Sequence, residues 1–240
     1  MRYNLSLEFG PAPIPGRGQA GDDEFAPTGF IAHPYWPERE KVINIRKRSG
    51  VDRPMLSDQK RAQALSQYIQ SLGMTLVDFE GLEKQASRPF YTWADVLLPE
   101  VLNGRDPTEI VISAHEVYGC LAQAASLVSS ATRVAKPEHI RTVLHVSDLA
   151  TGKRAPDGVW ERYVTVKAGT GAKLSNQRGF RSNEFIENFS ATGSIAFSPD
   201  MAEAKKVRRF LDVAGQEIGI GAARKMGWGR FRVTRWEAVS

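Results

Sequence analysis

The first residues alternate. Tyr3, Leu5, Leu7 and Phe9 fall on one side of an extended backbone and Arg2, Asn4, Ser6 and Glu8 on the other, the period of two that marks a half-buried strand. Residues 10–29 then break into Gly, Pro and Asp, which predicts a loop. Residues 40–48 alternate again, Val42, Asn44, Arg46 and Arg48 against Lys41, Ile43, Ile45 and Lys47, and predict an edge strand exposing cations. Over 56–72 the apolar spacing changes to three and four, behind Ser57 or Asp58 and ahead of Gly73, as in a capped helix; a short strand over 74–79 follows. Residues 94–103 and 107–132 predict helices, the second with Val111, Ala114, Tyr118, Leu121, Ala125 and Val128 as its apolar stripe. From His139 the pattern returns to strands, 140–149 and 159–169 in hairpin order around a turn at 152–158. Residues 189–197 alternate, Ser198-Pro199-Asp200 stops the strand and caps a helix over 202–215, and 230–237 alternates with Phe231, Val233 and Arg235 opposed to Arg230, Arg232, Thr234 and Trp236.

The closing order of strand, helix, glycine-rich loop and strand is half of a ferredoxin-like sandwich. The first strand, the helix over 56–72 and the strand over 74–79 supply the other half. The expected fold is therefore α+β, a ferredoxin/RRM-like antiparallel sheet core with a helical insertion. Residues 1–80 are the first half with its Gly/Pro-rich loop, 81–136 the insertion and 137–240 a basic second half.

Composition narrows the class. At 240 residues, 42% hydrophobic and 25% charged, the chain can bury a sizeable core. The apolar stretch 110–128 is interrupted by His115, Glu116 and Gln123, so no membrane span is expected. MRYNLSLEFGPAP lacks the apolar block of a secretory signal, and the expected location is the cytoplasm. The one cysteine, Cys120, can form neither an internal disulfide nor a zinc cluster and suits a buried helical position.

Charge is unevenly spread. Net charge is +5, yet residues 1–150 hold 16 Lys and Arg against 18 Asp and Glu, while residues 151–240 hold 16 against 9. A half carrying +7 over ninety residues is the footprint of a protein that meets a polyanion. The partner that this charge points to is a polyanion such as a nucleic acid, and no membrane is expected.

The chemistry concentrates at the last turn. Gly219, Gly221, Gly227 and Gly229 bracket Arg224 and Lys225, with Trp228 and Arg230 beside them. Glycines let one backbone lie against another and present N–H groups to phosphate, and the cations add charge and bidentate donors. The spacing is neither GxGxxG nor GxxxxGK[ST], and the loop runs from helix to strand, which excludes Rossmann and P-loop sites. Lys173, Arg178 and Arg181, interleaved with Gly and Phe180, form a second basic loop suited to clamping a strand. Trp228, between two glycines, is the candidate for exposed stacking, and Phe231 the candidate for the core.

The pattern GhGxxRxxGxGxhxh (h apolar), here Gly219 to Val233, resembles the glycine-rich loop of the RAMP superfamily, the RRM-like RNA-binding subunits and processing nucleases of CRISPR systems. The resemblance extends more loosely over residues 189–240 and implies binding of a guide-like RNA, or another nucleic-acid backbone, across a sheet face and under the loop, with RNA and other protein subunits as the expected partners. It does not imply catalysis. Nucleases of that superfamily often work without metal through a histidine general base, and His33 with Tyr35 falls after the first strand, broadly where such a pair would lie. Two alternatives remain open: a metal-independent endoribonuclease using His33 and Tyr35, and a structural or interaction subunit, viral or part of a multi-subunit assembly, that meets protein through the basic lobe and the helix over 108–132. His115, His139 and His145 carry no catalytic spacing. No HxH, HExxH or CxxC is present, so no metal and no cofactor is expected.

Overall fold

The computed structural model describes residues 1–13, 25–32, 37–51, 57–86, 89–168 and 175–239; over 37–39, 85–86, 163–168 and 175–181 it describes the backbone alone. The opening alternation forms β1 (Arg2–Phe9), with Leu5, Leu7 and Phe9 buried.

Residues 33–89 make one compact unit of three helices, α1 (Pro37–Ser49), α2 (Asp58–Ser71) and α3 (Leu76–Ala86). Val42, Ile45, Ile69 and Phe79 are its core. The helix expected over 56–72 is α2, but two expected strands are helical. At 40–48, Val42 and Ile45 are buried while Ile43 between them is 53% exposed, a helical face rather than a pleat. At 74–79 the chain is turned by a reciprocal cap. The Thr75 N–H and hydroxyl donate to Asp78 Oδ2 at 2.8 and 2.7 Å, and the Asp78 N–H donates back to Thr75 Oγ1 at 3.1 Å. Those bonds from Thr75 hold the Asp78 carboxyl below its ordinary range.

Residues 1–32 and 90–240 make the other unit. It contains β2 (Tyr91–Thr92), α4 (Trp93–Val96), β3 (Ile110–Ile112), α5 (Ala114–Leu127), α6 (Ile140–Val143), β4 (Leu144–Val146), β5 (Leu149–Ala150), β6 (Gly158–Ala168), β7 (Ser175–Phe185), β8 (Phe189–Phe197), α7 (Ala204–Val213) and β9 (Phe231–Ala238). The helix expected over 94–103 is cut short because Pro99 holds Leu98 extended, leaving only a 3-10 turn at Pro99–Val101. The helix expected over 107–132 begins only at Ala114. Ile110–Ile112, β-branched and fully buried, joins the sheet, and Ser113 caps the helix by accepting the Glu116 N–H.

The main sheet runs β2-β3-β5-β8-β1-β9, with β4 also on β8, and its strand pairings are antiparallel. Read along the chain, β1, α5, β4–β5, β8, α7 and β9 give βαββαβ with β1 and β8 in the centre. This is the ferredoxin-like α+β arrangement that the sequence predicts. The helix and second strand of its first half are α5 and β4–β5, not 56–72 and 74–79. α5 won that place because its buried residues, Val117, Cys120, Leu121, Ala124 and Ala125, repeat at helical spacing over nine positions, whereas α2 buries only Ile69.

Three rings cross the inner face in one row. Phe9 is paired with Phe189 on β8 and Phe231 on β9, at centroid distances of 4.7 and 6.0 Å. Burying each such ring stabilises the fold by about 1.5–3 kcal/mol, and the row pins the register of the three central strands. β6 does not pair with the 140–149 segment as expected. It pairs with β7 over eleven positions in a separate two-stranded sheet, an arm of roughly 36 Å at 3.3 Å per residue. Local pairing over eleven positions outcompetes the five residues of β4 and β5.

β9 carries a bulge. Ser6 faces Arg235 but Leu7 faces Val233, so Thr234 has no partner. Beyond it the parity of β9 inverts: Trp236, not Arg235, shares the inner face, stacking on Tyr3 at 4.4 Å.

Candidate nucleic-acid interface

α7 buries Val207, Phe210 and Leu211 and leaves Lys205 and Arg209 exposed. Arg208 is committed to the fold, pairing with Asp212 at 3.1 Å and donating to the Val233 carbonyl at 2.8 Å. The helix then widens into a π turn, Ala214–Ile218, and stops at Gly219.

From there the chain lies against residues 28–31. The Ala222 N–H donates to the Ile31 carbonyl at 2.8 Å, the Gly229 N–H to Gly29 at 2.7 Å, and the Arg230 N–H to Thr28 Oγ1 at 3.0 Å. The Thr28 hydroxyl donates in turn to the Gly227 carbonyl at 2.7 Å. At Gly221, φ +83°, a Cβ would overlap the Ile31 carbonyl oxygen, and at Gly229, φ +77°, the Ile220 carbonyl. The close backbone approach expected with a nucleic acid is therefore made with the protein's own chain at Gly219, Gly221 and Gly229. Of the four, Gly227 alone would accommodate a Cβ without overlap, in ordinary contact with Pro13 at 3.7 Å. Much of the N–H set expected to face phosphate is likewise spent internally.

Trp228 is corrected from an exposed stacking residue to a buried one. It is 1% exposed, with its ring 5.4 Å from Trp160 and 5.2 Å from Phe185, and it anchors the base of the β6–β7 arm. Its neighbouring glycines make room for it: the space where a Gly29 side chain would begin is 3.0 Å from the Trp228 ring. Phe231 is in the core, as expected.

The cations of the turn differ in exposure. Arg224, Lys225 and Met226 form a 3-10 turn held between Ala223 and Gly227, both left-handed. Lys225 is exposed and Arg224 half-buried. The Arg230 guanidinium donates to the Gln216 carbonyl. Among the described residues, no carboxylate forms an ion pair with Arg224, Lys225 or Arg230, whereas Arg154, Arg208, Arg232 and Arg235 each have one.

The remaining expected site residues fall elsewhere. Lys173, His33 and Tyr35 lie outside the described residues. Arg178 and Arg181 sit on β7 opposite Thr165 and Arg162. His115 Nδ1 lies 2.9 Å from the Arg141 guanidinium, and His145 is exposed on β4. The apolar side of α5, expected in one alternative to meet another protein, is buried in its own core. Cys120 is buried there, and burial pushes its thiol up to about 12, although the Arg224 charge pulls the other way. Among the described residues, no cluster of His, Cys, Asp or Glu forms a metal site, and no helix is long and apolar enough to cross a membrane.

The main sheet also carries a concavity whose lining residues were not among those expected. The sheet face opposite α5 and α7 bears the outward residues of the central strands, Arg2, Asn4 and Ser6 on β1, Thr192 and Ser194 on β8, and Arg235 on β9. With Arg105 and Trp93 on one wall and Asp148 on another, they line a cavity of about 570 Å³. The polar side of the β1 alternation was the available signal. Arg105, in a loop a hundred residues away, gave none.

No family model and no curated protein matches the chain. In structure it is similar to a chain of the type III-B Cmr-beta assembly bound to cognate target RNA, at 14% identity over 85% of this chain and 75% of that one, with a TM-score of 0.37. It is also similar to Cmr6 from Pyrococcus furiosus, at 10% identity over 97% and 96% of the two chains, with a TM-score of 0.27. Both are loose superpositions, and neither assigns this chain an activity.

Proposed function

We propose that this protein binds nucleic acid, RNA in preference to DNA, by holding the phosphate backbone against the cations of its C-terminal glycine-rich turn, as one subunit of a RAMP-type ribonucleoprotein. The observation that carries the reading is the state of Arg224 and Lys225. They stand on a turn sewn to residues 28–31, and among the described residues neither pairs with a carboxylate. The glycines act indirectly: by packing the turn onto its own chain they fix where the cations stand, so ordering them costs little when a ligand arrives. Arg230 follows in the same turn, and Lys205 and Arg209 are further exposed cations on α7. The +7 charge of residues 151–240 and the likeness of Gly219 to Val233 to the RAMP loop point the same way.

The test is fluorescence anisotropy with single-stranded RNA. Affinity is expected to fall steeply with salt, and Arg224→Ala/Lys225→Ala to weaken it and flatten the log–log salt slope by about 1.4, at roughly 0.7 per single-strand phosphate contact. Thermal stability should be nearly unchanged. Wild-type protein that binds neither RNA nor DNA at low salt overturns the reading.

A further inference from the structure

The concavity on the main sheet is lined by charge that the turn does not use. Arg2, Arg105 and Arg235 reach it from three separate parts of the chain, and Asp148 is the acid among the lining residues. The lining therefore carries three positive charges against one negative. Arg2 donates to Ser194 Oγ at 3.1 Å, across the β1–β8 pair. Arg105 lies over the Trp93 ring at 4.7 Å, which leaves the edges of its guanidinium to donate. Arg235 is held by Glu237 at 2.6 Å, with both side chains about half exposed, an ion pair that a second carboxylate can enter. The floor is Asn4, Ser6, Thr192 and Ser194, short side chains that both donate and accept.

This lining attracts anions but offers no stacking surface. Sites for single-stranded nucleic acid set exposed rings beside their cations. Here Trp93 is 5% exposed, and the rings of β1, β8 and β9 lie on the core side of the sheet. Asp148 repels a phosphate chain, whereas a peptide brings N–H groups of the kind that its carboxylate already accepts from Ala114, at 2.7 Å. Leu97 and Arg105 both line the concavity, and the chain between them exposes Leu98 and Val101, at 68% and 45%. Aliphatic side chains of this kind are covered by protein rather than by sugar and phosphate. A peptide main chain also alternates donor and acceptor, which the hydroxyls and amide of the floor can meet. The volume of about 570 Å³ falls in the cleft range of about 300–1,000 Å³, room for a few residues rather than a domain.

We infer that the concavity docks a short acidic segment of a partner protein, whose Asp or Glu side chains meet Arg2, Arg105 and Arg235 and whose adjoining aliphatic residue covers Leu98 and Val101. Carboxylates match the arginine forks, and the segment's backbone lies over the hydroxyl-rich floor. Such docking is independent of nucleic-acid binding at the turn.

The experiment selects phage-displayed random peptides on the immobilised full chain. Those recovered are expected to be rich in Asp and Glu with Leu, Ile, Val or Phe beside them, and a fluorescein-labelled synthetic copy is then titrated by anisotropy. Arg2→Ala/Arg235→Ala is expected to weaken that peptide at least about five-fold, as the loss of two charge-assisted contacts requires. Thr192→Trp fills the concavity from an exposed position without removing charge, and is expected to weaken it as well. Arg224→Ala/Lys225→Ala should bind the peptide like wild type, which keeps a failure here distinct from a failure of the turn. Unchanged melting checks the fold of each variant. Recovery of no acidic peptide, or of one that the variants of the concavity bind like wild type, overturns the inference. Oligouridylate binding that those variants weaken as much as they weaken the peptide overturns it in favour of RNA. Self-association of the wild type that they abolish overturns it in favour of a second copy.

Discussion

Single residues in this protein took their roles from neighbours distant in sequence. Gly221 and Gly229 look like a surface for a ligand's backbone, but the chain that comes close is the protein's own, at Ile31 and Ile220. Trp228 was misplaced for the same reason: two flanking glycines read as exposure, when the ring packs against Trp160 and Phe185 and the glycine that makes room for it is the distant Gly29. Cys120 was legible, since it sits on an apolar helical stripe. Burial raises its thiol from 9.0 to about 12, so folding favours the protonated form. The stability this contributes is complete below about pH 9 and is lost as pH rises towards 12. At neutral pH the native protein should therefore leave Ellman's reagent unreacted for as long as it stays folded, and release one equivalent of chromophore in denaturant. Rapid reaction of the native protein would show that the site opens.

At the scale of elements, clean periodicity was enough where nothing competed with it. β1, β8, α2 and α7 lie where their spacing predicts. Errors arose where apolar residues stood at both parities, as at 42–45, or where a short polar signal such as the Thr75–Asp78 cap decided the outcome against the pattern. The bulge in β9 was invisible to alternation because it is defined by the partner strand. Its consequence is testable. Deleting Thr234 removes the extra residue and leaves Arg235 opposite Ser6 and Trp236 opposite Leu5 in an unbroken ladder, so the inward stack of Trp236 on Tyr3 should be kept and urea unfolding should change by less than about 1 kcal/mol. A deletion variant that loses about 3 kcal/mol or more would show that the bulge itself, and not only the register on either side of it, is needed by the fold.

For the whole molecule, the fold class was readable from its ends, where strand, helix and strand are strongly amphipathic. The partition of the middle was not. Three helical segments compete for one place beside the sheet, and local pattern does not say which buries most. The unit comprising residues 1–32 and 90–240 has its own core, and it closes at the base of the excursion: Phe30 and Phe90 lie 6.1 Å apart between ring centroids. Replacing 33–89 with a few Gly and Ser residues should leave a protein that melts cooperatively, with its far-UV spectrum changed by the helix removed. A molten or aggregated product would show that the larger unit depends on the smaller. The pairing of the first strand with the last has a cost of another kind. β1 gains its neighbours β8 and β9 only after about 190 and 230 further residues have been made, so on the ribosome it emerges long before anything can cover its edges. Until then that strand presents two unpaired edges, a template open to any other strand that meets it first.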